Sequence, residues 1–495
     1  MIDTMTQYEP IIGLEIHAEL MTNSKMFCGC QVVDSVQAEP NTAVCPVCLG
    51  MPGMLPVINR RAVEYAMRVA LALNCAVQQH NIFARKNYFY PDLPKAYQLT
   101  QYELPIGLRG WLDIELEDGS TKRIRVRRVH MEEDTGKLTH LDRTAVAAEE
   151  GTLVDYNRSG VPLLEIVSEP DIHSGEEARA YAMKIRQILR YLGVNAGDLE
   201  KGVFRVEPNI SIRPIGTTAF GKRTELKNLN SFKSLADGTA FEIARQTEVL
   251  NSGGQVVQET RGWHDTKRIT FSQRSKEEAE DYRYFPEPDL PPLAISDAWI
   301  AEVKAALPEL PDAKVQRYQA DYGLSAYDSR VLTEEKAVAE WFETAVSLSP
   351  SSPDPKTIAN WIINNLFSLM NEHKQSIDAI RVTPAGLAEL LELVERRAIN
   401  NNTAKEVLAA MFTSGQSAPA IVQAQGLAQV SDEGAITAVI ERTLDANPDN
   451  VAAYLGGKEK LIGFFVGQVM REMRGKADPA VVNRLLAAAL AKRKP

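Results

Sequence analysis

Gly13-Leu14-Glu15-Ile16-His17-Ala18-Glu19-Leu20 alternates apolar and polar side chains with a period of two. Successive side chains of a strand point to opposite faces, so Glu15, His17 and Glu19 share one face and Leu14, Ile16, Ala18 and Leu20 the other. One face suits a core, the other chemistry. Arg123 to Val129 alternates similarly, with Arg123, Arg125 and Arg127 on one face. Leu163-Leu164-Glu165-Ile166-Val167 predicts a short, mostly buried strand with one carboxylate in it. Arg60 to Leu73 and Glu176 to Leu192 have helical spacing. The mixture predicts an α+β fold around a largely antiparallel sheet.

The character changes near residue 290. Phe285-Pro286-Glu287-Pro288-Asp289-Leu290-Pro291-Pro292 can neither continue a helix nor pair inside a sheet, and reads as a rigid edge or linker. From Asp297 to Ala424 helical spacing dominates. Ala385 to Ala398 is amphipathic, with Leu387, Leu390, Leu391 and Val394 on one stripe, and Thr383-Pro384 is a helix start. Ser349 to Pro355 is a polar, proline-rich loop. Beyond Gln425 a smaller helical unit is predicted, with helices over Gly434–Leu444, Val451–Met473 and Pro479–Ala491. Ser431-Asp432-Glu433 and Asp478-Pro479 are its start signals. The expected plan is three domains, 1–296, 297–424 and 425–495, in keeping with ~150 residues per domain for a chain of 495.

Hydrophobic residues make 44% and charged residues 24%, an ordinary globular balance. A net charge of −10 excludes a surface that coats nucleic acid throughout, so any such contact is local. Residues 425–495 hold ten Lys/Arg against eight Asp/Glu, which leaves −12 for the rest. Arg471, Arg474 and Lys476 sit around one inter-helix turn, and Lys492-Arg493-Lys494 end the chain. A phosphate backbone prefers this unit; a solvated surface with a basic end fits the same charge. The apolar run Leu461 to Met470 is broken by Gly463, Gly467 and Gln468 and falls short of the ~20 residues that span a bilayer. Met1 to Pro10 carries Asp3 and Glu9 and no basic residue, unlike a targeting peptide. A soluble, cytoplasmic protein is expected.

Four of five cysteines cluster, Cys28-Gly29-Cys30 and Cys45-Pro46-Val47-Cys48, separated by 14 residues. Two close thiolate pairs across a short loop suit tetrahedral zinc, and four protein ligands leave no open position, so the role is structural. Cys75 is expected to be a core thiol. Carboxylates form the second signal. Glu15 and His17 share a strand face, Glu165 sits among aliphatic residues, and His130-Met131-Glu132-Glu133-Asp134 adds an acidic run. Buried carboxylates need a partner, and several converging on one place suit Mg²⁺; ordinary ion pairs with nearby arginines are the plainer alternative. Third, Ala84-Arg85-Lys86-Asn87-Tyr88-Phe89-Tyr90-Pro91-Asp92-Leu93-Pro94-Lys95 could cradle a nucleotide or an RNA end, or simply pack its aromatics in a loop. No P-loop, G-x-G-x-x-G, H-E-x-x-H or G-x-S-x-G motif occurs.

In order along the chain, Gly13–His17, Arg85–Asp92, His130–Asp134, Pro162–Asp171, Glu225-Leu226-Lys227-Asn228-Leu229-Asn230-Ser231 and Asp281-Tyr282-Arg283-Tyr284-Phe285-Pro286-Glu287-Pro288-Asp289 together resemble the GatB family, the B component of aspartyl/glutamyl-tRNA(Asn/Gln) amidotransferases. The resemblance covers nearly the whole chain. It implies a carbon–nitrogen ligase that uses glutamine as amido donor and works as a heterotrimer with an amidase (GatA) and a small third component (GatC). The GatB component binds Glu-tRNA(Gln) or Asp-tRNA(Asn), activates the side-chain carboxylate with ATP and lets ammonia displace the phosphate. The implied fold is a cradle domain, a helical domain and a tRNA-binding helical tail. Carried over residue by residue, Glu15, His17, Glu133 and Glu165 match the Mg²⁺ and kinase site, and Lys86 a lysine in the same pocket. Glu207 and Glu225, with Lys227 and Asn228 beside the latter, match the lining of the ATP and second-metal site; many relatives carry Asp where this chain has Glu207. The cysteine set occurs in only part of the family, so its zinc pins a loop and takes no part in the chemistry. Arg471, Arg474 and Lys476 fall in the tRNA-binding tail. The competing class is a non-catalytic RNA-binding adapter with a structural zinc, which has no reason to bury Glu165.

Overall fold

The alternating segment forms β1 (Tyr8–Glu19) at the middle of a large sheet. Leu14, Ile16 and Ala18 are fully buried, while Glu15, His17 and Glu19 are half-buried on the other face. This computed structural model describes residues 7–140, 151–275, 282–349, 353–427, 433–473 and 477–493. The chain divides into two units, residues 1–310 and 311–495.

After β1 the first unit continues with α1 (Arg60–Ala72), β2 (Ala76–Val77), β3 (His80–Asn81), β4 (Ala84–Asn87), β5 (Tyr97–Thr100), β6 (Gly107–Glu115) and β7 (Thr121–Glu133). Then follow β8 (Lys137–His140), β9 (Thr152–Asp155), β10 (Pro162–Ser168), α2 (Gly175–Tyr191), β11 (Phe204–Pro214), β12 (Thr224–Lys227) and α3 (Phe232–Asn251). It closes with β13 (Glu259–His264), β14 (Ile269–Ser275), β15 (Phe285–Pro286), β16 (Leu293–Ala294) and α4 (Asp297–Ala305). The main sheet runs β14-β13-β12-β11-β1-β10-β7-β5-β4-β15, with β6 on the first half of β7 and β2 on β6. Its pairs are antiparallel except β12 with β13.

Helices α1, α2 and α3 cover one face, where Ala66, Met67, Tyr181, Ile185 and Leu235 pack with Leu14, Ile16 and Ile166. Burying that apolar face is the main favourable term holding helices and sheet together. Ser174 caps α2 by accepting the Glu177 N–H at 3.1 Å, with Glu176 and Glu177 in the first turn complementing the helix dipole. Cys75 is buried in this core, its thiol pushed up to about 12 by burial. Gly110 lets it in: a Cβ there would meet its Sγ at 2.4 Å. Helix α4 belongs to this unit through Val303, and the Arg60 guanidinium lies 4.7 Å from the Trp299 ring centre.

The second unit is helical: α5 (Pro311–Tyr322), α6 (Ala326–Thr333), α7 (Lys336–Ser347), α8 (Pro355–Trp361), α9 (Phe367–His373), α10 (Pro384–Glu395), α11 (Asn401–Ser414) and α12 (Ala418–Ala424) enclose a core around Phe342, Ile362, Leu387 and Val407. Thr383 caps α10 as its sequence predicts, accepting the Gly386 N–H at 3.0 Å. A separate core around Ile440, Phe465 and Leu486 joins α13 (Glu433–Asp445), α14 (Pro448–Leu455), α15 (Ile462–Glu472) and α16 (Pro479–Lys492), the last capped by Asp478. The single helix expected over Val451–Met473 is two. Gly456 and Gly457 end α14, and Gly457 takes φ 103, a conformation glycine adopts without strain. The expected start at Ser431-Asp432 lies outside the described residues. Among the described residues no helix is long and apolar enough to cross a membrane.

Candidate active site

The face of the main sheet opposite α1–α3 lines a cavity of about 1120 Å³. Strand register determines what enters it. Glu207 of β11 stands opposite Glu15 of β1, and His17 stands between Arg205 of β11 and Glu165 of β10. Glu165 in turn faces His130 of β7.

Two acid clusters result. In the first, one ligand atom each from His17, Glu132 and Glu165 lies within 4.8 Å of the others. Glu165 Oε2 is 3.5 Å from His17 Nε2 and 3.3 Å from His130 Nε2. Glu132 accepts from Thr100 Oγ1 at 2.7 Å and Gln98 Nε2 at 3.0 Å, so both its oxygens are oriented. In the second, Glu15, Glu207 and Glu225 converge equally closely. Asn209 Nδ2 donates to Glu15 at 3.0 Å and Thr260 Oγ1 to Glu225 at 2.7 Å. Lys227 Nζ donates to Glu207 at 2.8 Å.

Electrostatics hold the carboxyls of Glu132, Glu165 and Glu207 below their usual range. Burial opposes charge on Glu165, but His130 and His17 outweigh it and hold the carboxyl well below its usual range. Burial likewise disfavours a charged His17, yet Glu165 and Glu207 raise it to about 9. Glu207 is held low by Lys227 and His17 against its burial. Each cluster fits a hard cation: two or three carboxylates, desolvated and aimed at one point. His17 Nδ1 and His130 Nδ1 are buried without hydrogen-bond partners, so the histidines' cluster-facing Nε2 atoms carry their interactions.

Lys86, Tyr88, Phe89, Tyr90 and Asp92 also line the cavity, so the basic-aromatic segment belongs to the site. Lys86 Nζ lies 4.9 Å from the Tyr282 ring centre and 5.9 Å from that of Tyr88. Burial opposes its charge, but Glu132 and neighbouring groups raise its pKa. Arg85 turns away into a two-pronged bond with Glu287 at 2.7 and 2.8 Å.

Glu133, expected with Glu15, His17 and Glu165, faces elsewhere. It pairs with Lys95 Nζ and accepts the Leu99 N–H at 3.0 Å, lining a smaller cavity beside the cysteine loop. Glu132 stands in its place. The cause is a bulge in β7: Arg128 pairs with Val167 but Val126 with Ser168, leaving Arg127 extra. Before it Ile124 and Val126 face the core; after it Val129 and Met131 do. The phase of the strand flips, and Arg128, His130 and Glu132 reach the cavity. The doubled arginine Arg127-Arg128 was the sequence signal for this break. Arg123, Arg125 and Arg127 are surface ion-pair partners of Asp113, Asp171 and Glu169, at 2.8, 2.6 and 2.9 Å. Asn228 is exposed, at φ 63, and does not line the cavity; Glu225 and Lys227 of β12 do. Sequence reading also missed Arg205, which donates to Asp134 at 2.9 Å on the cavity wall.

Cys28, Cys30, Cys45 and Cys48 bring their sulfurs within 4.8 Å of one another and could hold a metal ion. Zinc with ~2.3 Å bonds separates tetrahedral sulfurs by about 3.8 Å. Cys45 and Cys48 are 3.9 Å apart. The Cys45 N–H donates to Cys48 Sγ at 3.1 Å, and Nζ of the fully buried Lys25 lies 3.7 Å away. The Cys28 thiol's hydrogen bond, aided by Lys25, brings Cys48 down to about 4, the thiolate a metal takes.

Arg471 is exposed at the end of α15; Arg474 and Lys476 lie outside the described residues. A second large cavity, about 920 Å³ and lined by Arg381, Glu389, Glu392 and Arg396, lies in the helical unit, but among the described residues none of the clusters that could hold a metal lines it.

Residues 10–301 match the GatB/GatE catalytic domain and residues 340–490 the GatB domain. The B component of an aspartyl/glutamyl-tRNA(Asn/Gln) amidotransferase from Thermodesulfovibrio yellowstonii is 52% identical over 480 residues, covering 97% of this chain and 98% of the relative. Its counterpart from Carboxydothermus hydrogenoformans is 49% identical over 488 residues, covering 99% and 100%. With both domains matched in order and identity near one half along almost the full length, this chain belongs to the GatB/GatE family.

Proposed function

We propose that this chain is the GatB component of a glutamine-dependent, cytoplasmic tRNA amidotransferase, acting with the amidase GatA and the small GatC on Glu-tRNA(Gln), Asp-tRNA(Asn) or both. The observation that carries this reading is the pair of acid clusters on one sheet face, with the Lys86 ammonium in the same cavity. Phosphoryl transfer to a carboxylate needs positioning and charge neutralisation more than covalent help. A side-chain carboxylate oxygen of the substrate attacks the γ-phosphorus of ATP, the bond to the bridging oxygen breaks, and ADP leaves. Ammonia from the amidase then attacks the carbonyl carbon. Phosphate leaves with the C–O electron pair, and the nitrogen gives up a proton.

The protein's part is preparation. Gln98, Thr100, Asn209 and Thr260 hold the carboxylates in fixed orientations, which avoids reorganisation during the reaction. Lys86 meets the charge that develops on the transferring group. Lys227 neutralises Glu207 in the free protein and yields when a cation enters. His17, Glu132 and Glu165, and likewise Glu15, Glu207 and Glu225, would hold Mg²⁺, which would supply charge neutralisation for the phosphates. Zinc on the four cysteines holds the 28–48 loop. The part through α4, ending near 310 and not at the expected 296, is the catalytic cradle, 311–424 the helical domain and 425–495 the tRNA-binding tail, with Arg471, Arg474 and Lys476 at the phosphates.

The test uses this chain co-expressed with GatA and GatC, tRNA(Gln) charged with labelled glutamate, ATP, Mg²⁺ and ammonium. Labelled glutamine recovered from the tRNA supports the reading, because free ammonia bypasses the amidase. Unchanged glutamate on bound tRNA favours the adapter. tRNA(Asn) charged with aspartate then sets specificity.

A further inference from the structure

We propose that Arg128 binds an oxyanion of the reactants in this cavity, across from the Glu15, Glu207 and Glu225 cluster; the proposal rests on the phosphoryl-transfer reading above. Register carries it first. Arg128 pairs with Val167 of β10, Val167 with Glu15 of β1, and Glu15 with Glu207 of β11. Adjacent strands lie ~4.8 Å apart, so Arg128 stands about 10 Å from Glu15 along one row. Only Val167, which has no polar atom in its side chain, comes between. An anion held by cations on the acid side faces the guanidinium on the other.

The second argument is what Arg128 lacks. Lys227 and Arg205 are committed to Glu207 and Asp134. Arg128 lines the same cavity, yet among the described residues no carboxylate pairs with it, and its Nε is buried without a hydrogen-bond partner. A desolvated guanidinium N–H left unmatched is costly, and a ligand oxygen removes that cost.

The third is orientation. The Arg128 Cζ lies 5.6 Å from the Tyr102 ring centre, and Tyr102 stacks on Tyr284 at 4.1 Å and 7°. This ring pair backs the guanidinium and limits its rotamers, so little entropy is lost when a ligand arrives. The planar fork matches two oxygens of a phosphate or a carboxylate. Both occur in the proposed reaction: the phosphate chain of ATP and the substrate's side-chain carboxylate.

The experiment is ammonium-dependent amide formation by the complex with GatA and GatC, comparing wild type, Arg128→Lys and Arg128→Met. Wild-type turnover is the control for the underlying reading; its absence defeats that reading before Arg128 is judged. Expected is a loss in kcat/KM of about 100-fold for Arg128→Met and at least tenfold for Arg128→Lys, which keeps the charge but not the fork. Glutamine hydrolysis by the amidase stays within twofold. A rise confined to KM for ATP assigns the oxyanion to phosphate; a rise confined to KM for charged tRNA, with altered preference between glutamate and aspartate, assigns it to the carboxylate. Added guanidinium ion restores part of the activity of Arg128→Ala. Should Arg128→Met fail to assemble, Arg128→Lys and the rescue decide. Parameters within twofold of wild type, or equal loss of glutamine hydrolysis, overturn the proposal.

Discussion

The cysteine cluster and the carboxylate clusters are both sets of side chains gathered around a point, but they are gathered in opposite ways. The four cysteines lie within 21 residues and are brought together by two tight turns. The acids come from positions 15 to 225, and only the register of the sheet assembles them. Four local thiolates would saturate a bound ion and stabilise a loop. A long-range cluster leaves positions open and can change partners. One should therefore fail as structure, the other as chemistry.

The largest expected effect comes from Glu165, which faces both His17 and His130. Glu165→Gln should lower ammonium-dependent amide formation by about 1000-fold while glutamine hydrolysis by the amidase persists. Equal loss of both activities would break the comparison by making Glu165 structural. The neighbours on β7 sharpen it. Glu132→Gln should cost about 100-fold in the same assay and Glu133→Gln less than about fivefold. Reversal of that order would contradict the observed register.

Cys48→Ser should act in the opposite sense. Bound zinc falls from about one per chain to near zero by atomic emission, and the first unit melts about 5 °C lower. Amide formation per folded complex stays within about threefold. Loss of turnover with unchanged melting would show that the cysteine loop takes part in chemistry.

The smallest effect lies in the helical unit, where Glu343 accepts from Lys314 at 2.6 Å and Tyr318 at 3.1 Å and pairs with Arg317. Burial would raise its carboxyl, but Lys314 and Arg317 lower it below the ordinary 4.5. The folded protein thus binds the proton more weakly than the unfolded chain. The stability contributed is complete above about pH 5 and fades as pH falls through the lowered value. Glu343→Gln should lose about 2 kcal/mol at pH 7 and flatten the acid limb of a urea-midpoint series. An unchanged acid limb would remove Glu343 from the account.

Much of this was legible in residues. The alternation of 13–20 gave both faces of β1, the caps at Thr383 and Asp478 gave helix starts, and the cysteine spacing gave a local cluster. What failed has a common physical reason. Glu132 and Glu133 are chemically alike, and only the phase of the strand separates them; Arg127 set that phase from five residues away. Arg205 and Arg128 line the cavity because of pairings between strands far apart in the chain, which no local pattern encodes. The split at Gly456-Gly457 was visible as two adjacent glycines inside the expected helix Val451–Met473, but the apolar spacing on either side masked it.

The bulge at Arg127 also bears on how such a chain can change over time. A substitution in β7 alters one side chain, and the rest of the strand keeps its facing. Removing the extra residue there would make Val126 opposite Ser168 and Arg128 opposite Val167 consecutive pairs, so both halves of the strand would keep their facing. The count of residues is thus free to change at Arg127, whereas a slip of one between Arg128 and Glu132 would turn every side chain past it to the other face.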